Sequence, residues 1–290
     1  MNGAEPITEA REAGLADIDL RSTLELVELI NDEDARVAPA VRDAAAALAA
    51  AVDAIVERLE RGGRLVYVGA GSSGRQAAGD AAECGPTFGL EKGRVLAVTV
   101  EHEAGEDDAE AGAAALARTG IGPADAVVAL SAGGRTPYVL GALRVARDAG
   151  ALTVAVVCAD RSPLGAIADH EVVATVGAEV IAGSTRMKAG TAQKLVLNTI
   201  STVAMVRLGR TYGNLMVDVV TANEKLRARA RRTVELATGV PGAEAEGALA
   251  AADGDAKVAI VSLLAGVDAA AARQRLDAAG GAVRRALEDA

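Results

Sequence analysis

At 290 residues and 51% hydrophobic, the chain has ample material for a core, enough for one α/β domain with appendages or for two small domains. Aromatic residues make up only 1% of it, with no Trp, and the net charge is −10, which together argue against a base-stacking surface, nucleic acid or an anionic membrane as partners. Two cysteines, Cys84 and Cys158, do not make a disulfide framework, and His102 and His170 sit in no zinc-like spacing, so neither a disulfide scaffold nor a metal site is predicted.

The chain opens with MNGAEPITEAREAG, polar and acidic and unlike a signal peptide. No apolar run approaches the roughly 18 residues that a membrane span needs, so the reading is a soluble, cytoplasmic protein. Residues 1–47 are predicted to be an N-terminal helical segment, and an Ala-rich helix over 35–62 ends at Gly62-Gly63, a helix stop. Five short Val-rich runs follow, at 64–69, 94–100, 125–131, 152–158 and 171–176. None alternates strictly, as expected of strands buried on both faces. Helix-competent segments at 74–84, 106–119, 137–149 and around 163–168 lie between them. That order predicts an α/β fold, a doubly wound five-stranded parallel sheet flanked by helices, over residues 48–221. From 222 to 290 the chain turns Arg- and Ala-rich. Three short helical stretches, separated at Gly239-Val240-Pro241, Gly266 and Gly280-Gly281, read as a small C-terminal helical module.

Ligands of such sheets bind at the carboxyl ends of the strands, which directs attention to three loops. The first strand breaks into Gly69, Gly71, Ser72, Ser73 and Gly74, a glycine turn that points backbone N–H groups and a helix dipole at an anion. Gly69-x-Gly71-x-x-Gly74 formally satisfies a dinucleotide fingerprint, with Glu101 as a possible ribose ligand. The Ser72-Ser73 pair and the length of loop 84–93 favour a phosphate monoester instead. The second loop, SAGGRTPYV, sets Ser131, Gly134 and Thr136 after the third strand. The third segment, GSTRMKAGTAQK, lets Gly183, Ser184 and Thr185 cap a helix over 187–209, with Arg186, Lys188 and Lys194 in its early turns. Cations are disfavoured at a helix N-terminus, so these imply a nearby anion. Each hydroxyl alone reads equally well as an ordinary helix cap.

The segments VGAGSSGR, AAECGPTFG, GGRTPYV, GSTRMKAGTAQK, YGNLMVDVV and NEKL, with the earlier STLELVELINDED, together resemble the N-acetylmuramic acid 6-phosphate etherase family of the sugar isomerase (SIS) fold group. The resemblance runs from about residue 7 to the C-terminus. It implies a three-layer SIS domain, a homodimer, and a lyase that needs no cofactor. The implied reaction opens the ring of N-acetylmuramic acid 6-phosphate, removes the C2 proton, eliminates D-lactate and adds water, giving N-acetylglucosamine 6-phosphate. Glu83 matches the family's catalytic glutamate, read as general acid toward lactate, and Glu106 in EAGEDD matches its second, acid/base glutamate. For the substrate phosphate the resemblance and the loops point to Gly71, Ser72, Ser73, Ser131, Gly134, Thr136, Ser184, Thr185, Arg186 and Lys188. Two departures stand out. VTVEHEAGED runs almost directly from strand to helix, where the family carries a Gly-rich stretch, and Gly133 stands where it carries Ser. The family is also similar to the glucokinase regulatory protein. A sugar-phosphate-binding regulator, and an SIS isomerase or lyase on a related sugar phosphate, are therefore the alternatives.

Overall fold

The computed structural model describes residues 7–100, 102–218 and 224–288. Glu101 and the 219–223 stretch that carries parts of the YGNLMVDVV and NEKL motifs lie outside the described residues. The chain divides into two compact units, one of residues 1–82 and 93–201, the other of residues 83–92 and 202–290.

In the first unit the Val-rich runs become β1 after three helices. Helix α1 (Thr23–Asp34) starts at a capping box in which the Ser22 and Glu25 side chains each serve the other's backbone N–H. The helix expected over 35–62 is two helices, α2 (Val37–Asp43) and α3 (Ala45–Glu60), broken at Ala44. β1 (Leu65–Ala70) leads into α4 (Gly71–Phe88), then β2 (Val95–Val100). The expected loop from residue 84 is therefore helical as far as Phe88, through Pro86. The helix expected at 106–119 divides into a single turn, α5 (Glu103–Glu106), and α6 (Ala109–Ala117), which Asp108 caps. β3 (Ala126–Leu130), α7 (Pro137–Asp148), β4 (Leu152–Val157) and β5 (His170–Val173) follow. Turns, not a helix, occupy 163–168, because the Ser162 hydroxyl takes the Gly165 N–H and donates to Glu171. The unit closes with α8 (Lys188–Arg207), whose last turns pass into the second unit.

All five strands are parallel, in the order β2-β1-β3-β4-β5. Alternation along the strands sorts their side chains onto two faces. Val66, Val68, Val127, Ala129, Ala155 and Val157 pack against Leu116 of α6 and Val139, Leu143 and Ala146 of α7. Tyr67, Val128, Leu130, Val154 and Val156 point the other way and are equally buried. α3 lies against β3, β4 and β5, and the Tyr67 hydroxyl bonds Asp80 of α4 at 2.9 Å, which sets α4 on the Tyr67 face. The result is a three-layer α/β sandwich, as the strand and helix order predicted.

Two polar contacts align α4 with α8 inside this unit. Ser73 meets Gln193 at 2.9 Å, and Asp80 meets Ser201 at 3.3 Å. A step of seven residues on α4 matches a step of eight on α8, so the helices run parallel and begin at the same end of the sheet. On the opposite face α6 and α7 touch backbone to backbone. A Cβ at Gly112 would strike the Tyr138 carbonyl, and one at Gly141 the Ala109 carbonyl. Gly112→Ala is expected to force the helices apart and cost about 2 kcal/mol, read as a melting temperature lower by roughly 4–8 °C. An unchanged melting temperature would refute this close approach.

The second unit is helical, with a two-strand hairpin, β6 (Thr211–Tyr212) and β7 (Leu215–Met216). Among the described residues the tail forms five helices, one more than the three expected breaks allow: α9 (Glu224–Thr238), α10 (Gly242–Ala251), α11 (Ala256–Ala265), α12 (Ala269–Ala278) and α13 (Val283–Glu288). The extra break between α10 and α11 falls at Asp253-Gly254, both with positive φ, followed by Asp255 as a helix cap. Ala230, Val234, Ala245, Ile260, Ala272 and Val283 form its own core.

Candidate active site

The strand order reverses direction between β1 and β3, the place where a parallel sheet opens a crevice. β1 sends its chain to α4 on the Tyr67 face, and β3 sends its chain to α7 on the other. Register sets Gly69 beside Leu130, so the two loops leave the sheet at one level.

Gly71 opens α4 with φ +51°, a conformation that favours glycine, and a Cβ there would run into the Glu106 carboxylate. Glu106 is half-buried and reaches back to the glycine turn, although the chain between β2 and α5 is short. β2 ends level with Ala70, and the single turn of α5, begun by His102, spans the interval. Ser72 and Ser73 are both half-buried in the first turn of α4. The Ser72 hydroxyl accepts from Arg75 at 2.8 Å, and the Ser73 hydroxyl donates to Gln193 Oε1.

In the β3 loop the Ser131 and Thr136 hydroxyls bond each other at 2.8 Å. Ser131 is only 4% exposed and stands behind Thr136, which caps no helix N–H. Pro137 at the first position of α7 has no N–H, so the end of that helix presents its next donors outward. Gly134 is spent on the turn itself. Its N–H bonds the Ser131 carbonyl, its φ is +65°, and Ser162 packs where a Cβ would stand.

The N-terminus of α8 differs from the expectation. Glu179, 1% exposed, accepts from the Lys188 and Ala189 N–H groups at 3.0 Å each, so a carboxylate of the chain itself fills that anion slot. Ser184 and Thr185 form the preceding turn, where their carbonyls accept from the Met187 and Gly190 N–H groups. The cation excess is also answered from within. Lys188 Nζ, 2% exposed, pairs with Glu33 at 2.5 Å, and Lys194 Nζ lies 3.8 Å from Asp80. Of the three early cations Arg186 alone is exposed. Lys188→Met is expected to lose about 2 kcal/mol in urea unfolding by removing the buried half of this pair, while half-buried Glu33 keeps Arg36 at 3.0 Å, and much of the loss should be regained in Lys188→Met/Glu33→Leu. Full stability with weaker substrate binding would instead return Lys188 to the site.

Glu83 belongs to the second unit, exposed on α4, with the Thr87 hydroxyl bonded to its carbonyl at 2.7 Å. A cavity of about 520 Å³ in that unit is lined by Arg227, Arg231, Glu246 and Asp253, among others, and by none of the residues singled out from sequence. Arg231 and Glu246 approach to 3.8 Å across it. Burial pushes the Cys158 thiol up to about 12, with the Glu179 carboxylate adding to it, so Cys158 is no nucleophile at neutral pH.

Sequence reasoning passed over Arg75, Gln193 and the Glu33 and Glu179 carboxylates. Arg75 carried a usable signal, a cation in the first turns of a helix, the same signal that drew attention to α8. Gln193 and Glu33 meet partners 120 and 155 residues away, and Glu179 folds back over nine residues, contacts that no local pattern announces.

A protein-family model described as "SIS domain" matches residues 31–158. Across nearly the whole chain there are close relatives named N-acetylmuramic acid 6-phosphate etherase. That of Rubrobacter xylanophilus is 57% identical over 98% of this chain and 96% of its own length. That of Streptomyces avermitilis is 51% identical over 97% and 93%, and one from Escherichia coli 46% identical over 97% of each. Among solved structures, a phosphoheptose isomerase from Francisella tularensis shares the fold at TM-score 0.53, 19% identical over 64% of this chain and all of that one. One from Neisseria gonorrhoeae does so at 0.51, 19% identical, over 63% and 98%.

Proposed function

The chain belongs to the N-acetylmuramic acid 6-phosphate etherase family and is a carbon–oxygen lyase of that kind, and from this premise we propose how its residues carry the reaction. The substrate is N-acetylmuramic acid 6-phosphate, whose D-lactyl ether is cleaved to give N-acetylglucosamine 6-phosphate and D-lactate. Ring opening exposes the C1 aldehyde and acidifies the C2 proton. Glu106 takes that proton, and the electrons left at C2 form the C2–C3 double bond as the C3–O bond breaks. Glu83 protonates the departing lactate oxygen, and water then adds at C3. The observation that carries this reading is the Glu106 carboxylate set against Gly71 at the carboxyl end of β1. The short 101–106 loop therefore does not remove the second carboxylate from the glycine turn.

Phosphate recognition falls to the hydroxyls and N–H groups at the two crevice loops. Ser72, Ser73 and Thr136 contact the phosphate, with Ser131 behind Thr136 and Arg75 adding charge. Ser184, Thr185 and the exposed Arg186 join them, since α8 begins at the same end of the sheet as α4. Arg75 and Arg186 supply positive charge in a chain of net charge −10.

The enzyme works in the cytoplasm as a homodimer. The described residues include no helix long and apolar enough to cross a membrane, and Cys84 and Cys158 are both buried. In support of the homodimer, Leu24 and Val27 on α1 are 66% and 51% exposed, and Leu20, in the turn just before that helix, is 82% exposed. Sedimentation velocity should give twice the mass of the chain, and a monomer at micromolar concentration would rule the dimer out. The function itself is tested by incubating the protein with N-acetylmuramic acid 6-phosphate and assaying D-lactate. Saturable binding without lactate would turn the reading to the sugar-phosphate-binding regulator.

A further inference from the structure

Gln193 lies in the second turn of α8, 1% exposed, and one end of its amide is unused. Oε1 accepts the Ser73 hydroxyl proton at 2.9 Å, while the buried Nε2 has no acceptor among the described residues. A buried donor left unpaired is destabilising, and its presence needs a reason. The chemistry of Ser73 supplies one. A serine hydroxyl has a single proton, and a phosphate dianion only accepts. With its proton committed to Oε1, Ser73 turns lone pairs toward the cradle, the wrong sign for an anion.

Turning the carboxamide over reverses this. Nε2 then donates to Ser73 Oγ across the same 2.9 Å, and the hydroxyl proton is released toward the phosphate. The two ends of a carboxamide have nearly the same shape, and its terminal torsion is broad and two-fold, so the packing of α4 on α8 is undisturbed. The turn also pairs the orphaned donor and leaves Oε1, an acceptor, on the buried side in its place. The other hydroxyl pair needs no such device, because either of Ser131 and Thr136 can donate to the other.

We infer that Gln193 is a positioning residue of the phosphate site: its amide presents Nε2 to Ser73 Oγ and so aims the Ser73 proton at the substrate phosphate. The inference rests on the reading of Ser73 as a phosphate contact. Four proteins test both: wild type, Ser73→Ala, Gln193→Glu and the double variant, each assayed for KM and kcat by lactate release and checked for folding by thermal melting. Ser73→Ala is expected to raise KM about tenfold with kcat little changed, the signature of a contact made equally in ground and transition states. Gln193→Glu at pH 7.5 should do the same, because an ionised carboxylate can only accept. The double variant should be no worse than Ser73→Ala alone. As pH falls, the ratio of the Gln193→Glu KM to that of wild type should shrink, because a protonated carboxyl can again donate to Ser73. Losses that multiply in the double variant, or a ratio that does not move with pH, would overturn the role of Gln193 alone. An unchanged KM in Ser73→Ala would overturn the phosphate contact and the inference with it. Should Gln193→Glu not fold, Gln193→Met serves: it should raise KM in the presence of Ser73 and not in its absence, and equal losses in both backgrounds would count against the proposal.

Discussion

Glu83→Gln is expected to abolish D-lactate release, lowering kcat by about a thousandfold, within the range of a lost general acid. Lactate departs through a secondary alkoxide, a poor leaving group at neutral pH unless a proton arrives as the C3–O bond breaks. Glutamine keeps the shape and the hydrogen bonding of the side chain but carries no transferable proton. Glu83 is exposed, so the replacement should leave the melting temperature within a degree or two, and a folding defect will not imitate the loss. Substrate affinity should hold as well, since the residues proposed for the phosphate lie elsewhere in the chain. In deuterium oxide the division of labour becomes visible. The variant should still exchange the C2 proton of the substrate with solvent, because the base is intact, while no lactate appears. A variant keeping more than a tenth of wild-type turnover would remove Glu83 from the role of acid.

Glu106→Gln should be as severe in kcat and differ in kind. If Glu106 takes the C2 proton, its amide stops the reaction before the intermediate, and both lactate release and C2 exchange fall together, by roughly a hundred- to ten-thousandfold. The glycine turn offers an independent check that keeps the Glu106 carboxylate chemically intact but moves it. Gly71→Ala puts a methyl group where the Glu106 carboxylate now rests and holds a side chain at φ +51°, which adds about 1 kcal/mol of backbone strain. Displacing the base by about an ångström is expected to lower kcat on the order of a hundredfold with a modest drop in melting temperature. Full exchange activity in Glu106→Gln would assign the base to another residue. Wild-type kcat in Gly71→Ala would show that Glu106 does not act from its seat on the turn.

Which parts of this arrangement could be read along the chain follows from the range of the forces involved. The five strands were legible because burial on both faces demands unbroken apolar runs, and Leu65–Ala70, Ala126–Leu130 and Leu152–Val157 are such runs. The start of α7 was legible from Thr136-Pro137, since proline suits the first position of a helix. The helix at 163–168 was misread because apolar spacing there cannot reveal that the Ser162 hydroxyl takes the Gly165 N–H. Likewise a loop was expected from residue 84, and Pro86 does not begin one. α4 continues through it to Phe88.

The composition and motifs were enough to establish the α/β class, the crevice loops and the family, because these depend on residue order and local backbone preference. They also pointed to Glu106, whose carboxylate lies against Gly71 and whose part in the reaction is a proposal. Long-range partners were beyond their reach. Glu179, nine residues before Lys188, occupies the helix end that Ser184 and Thr185 seemed built to cap, and Glu33, 155 residues away, takes the Lys188 ammonium that seemed free for phosphate. A carboxylate in the sequence carries no mark of which cation it will neutralise. That is decided when α1, α4 and α8 are packed together, since the cost of an unpaired buried charge then selects the pairs.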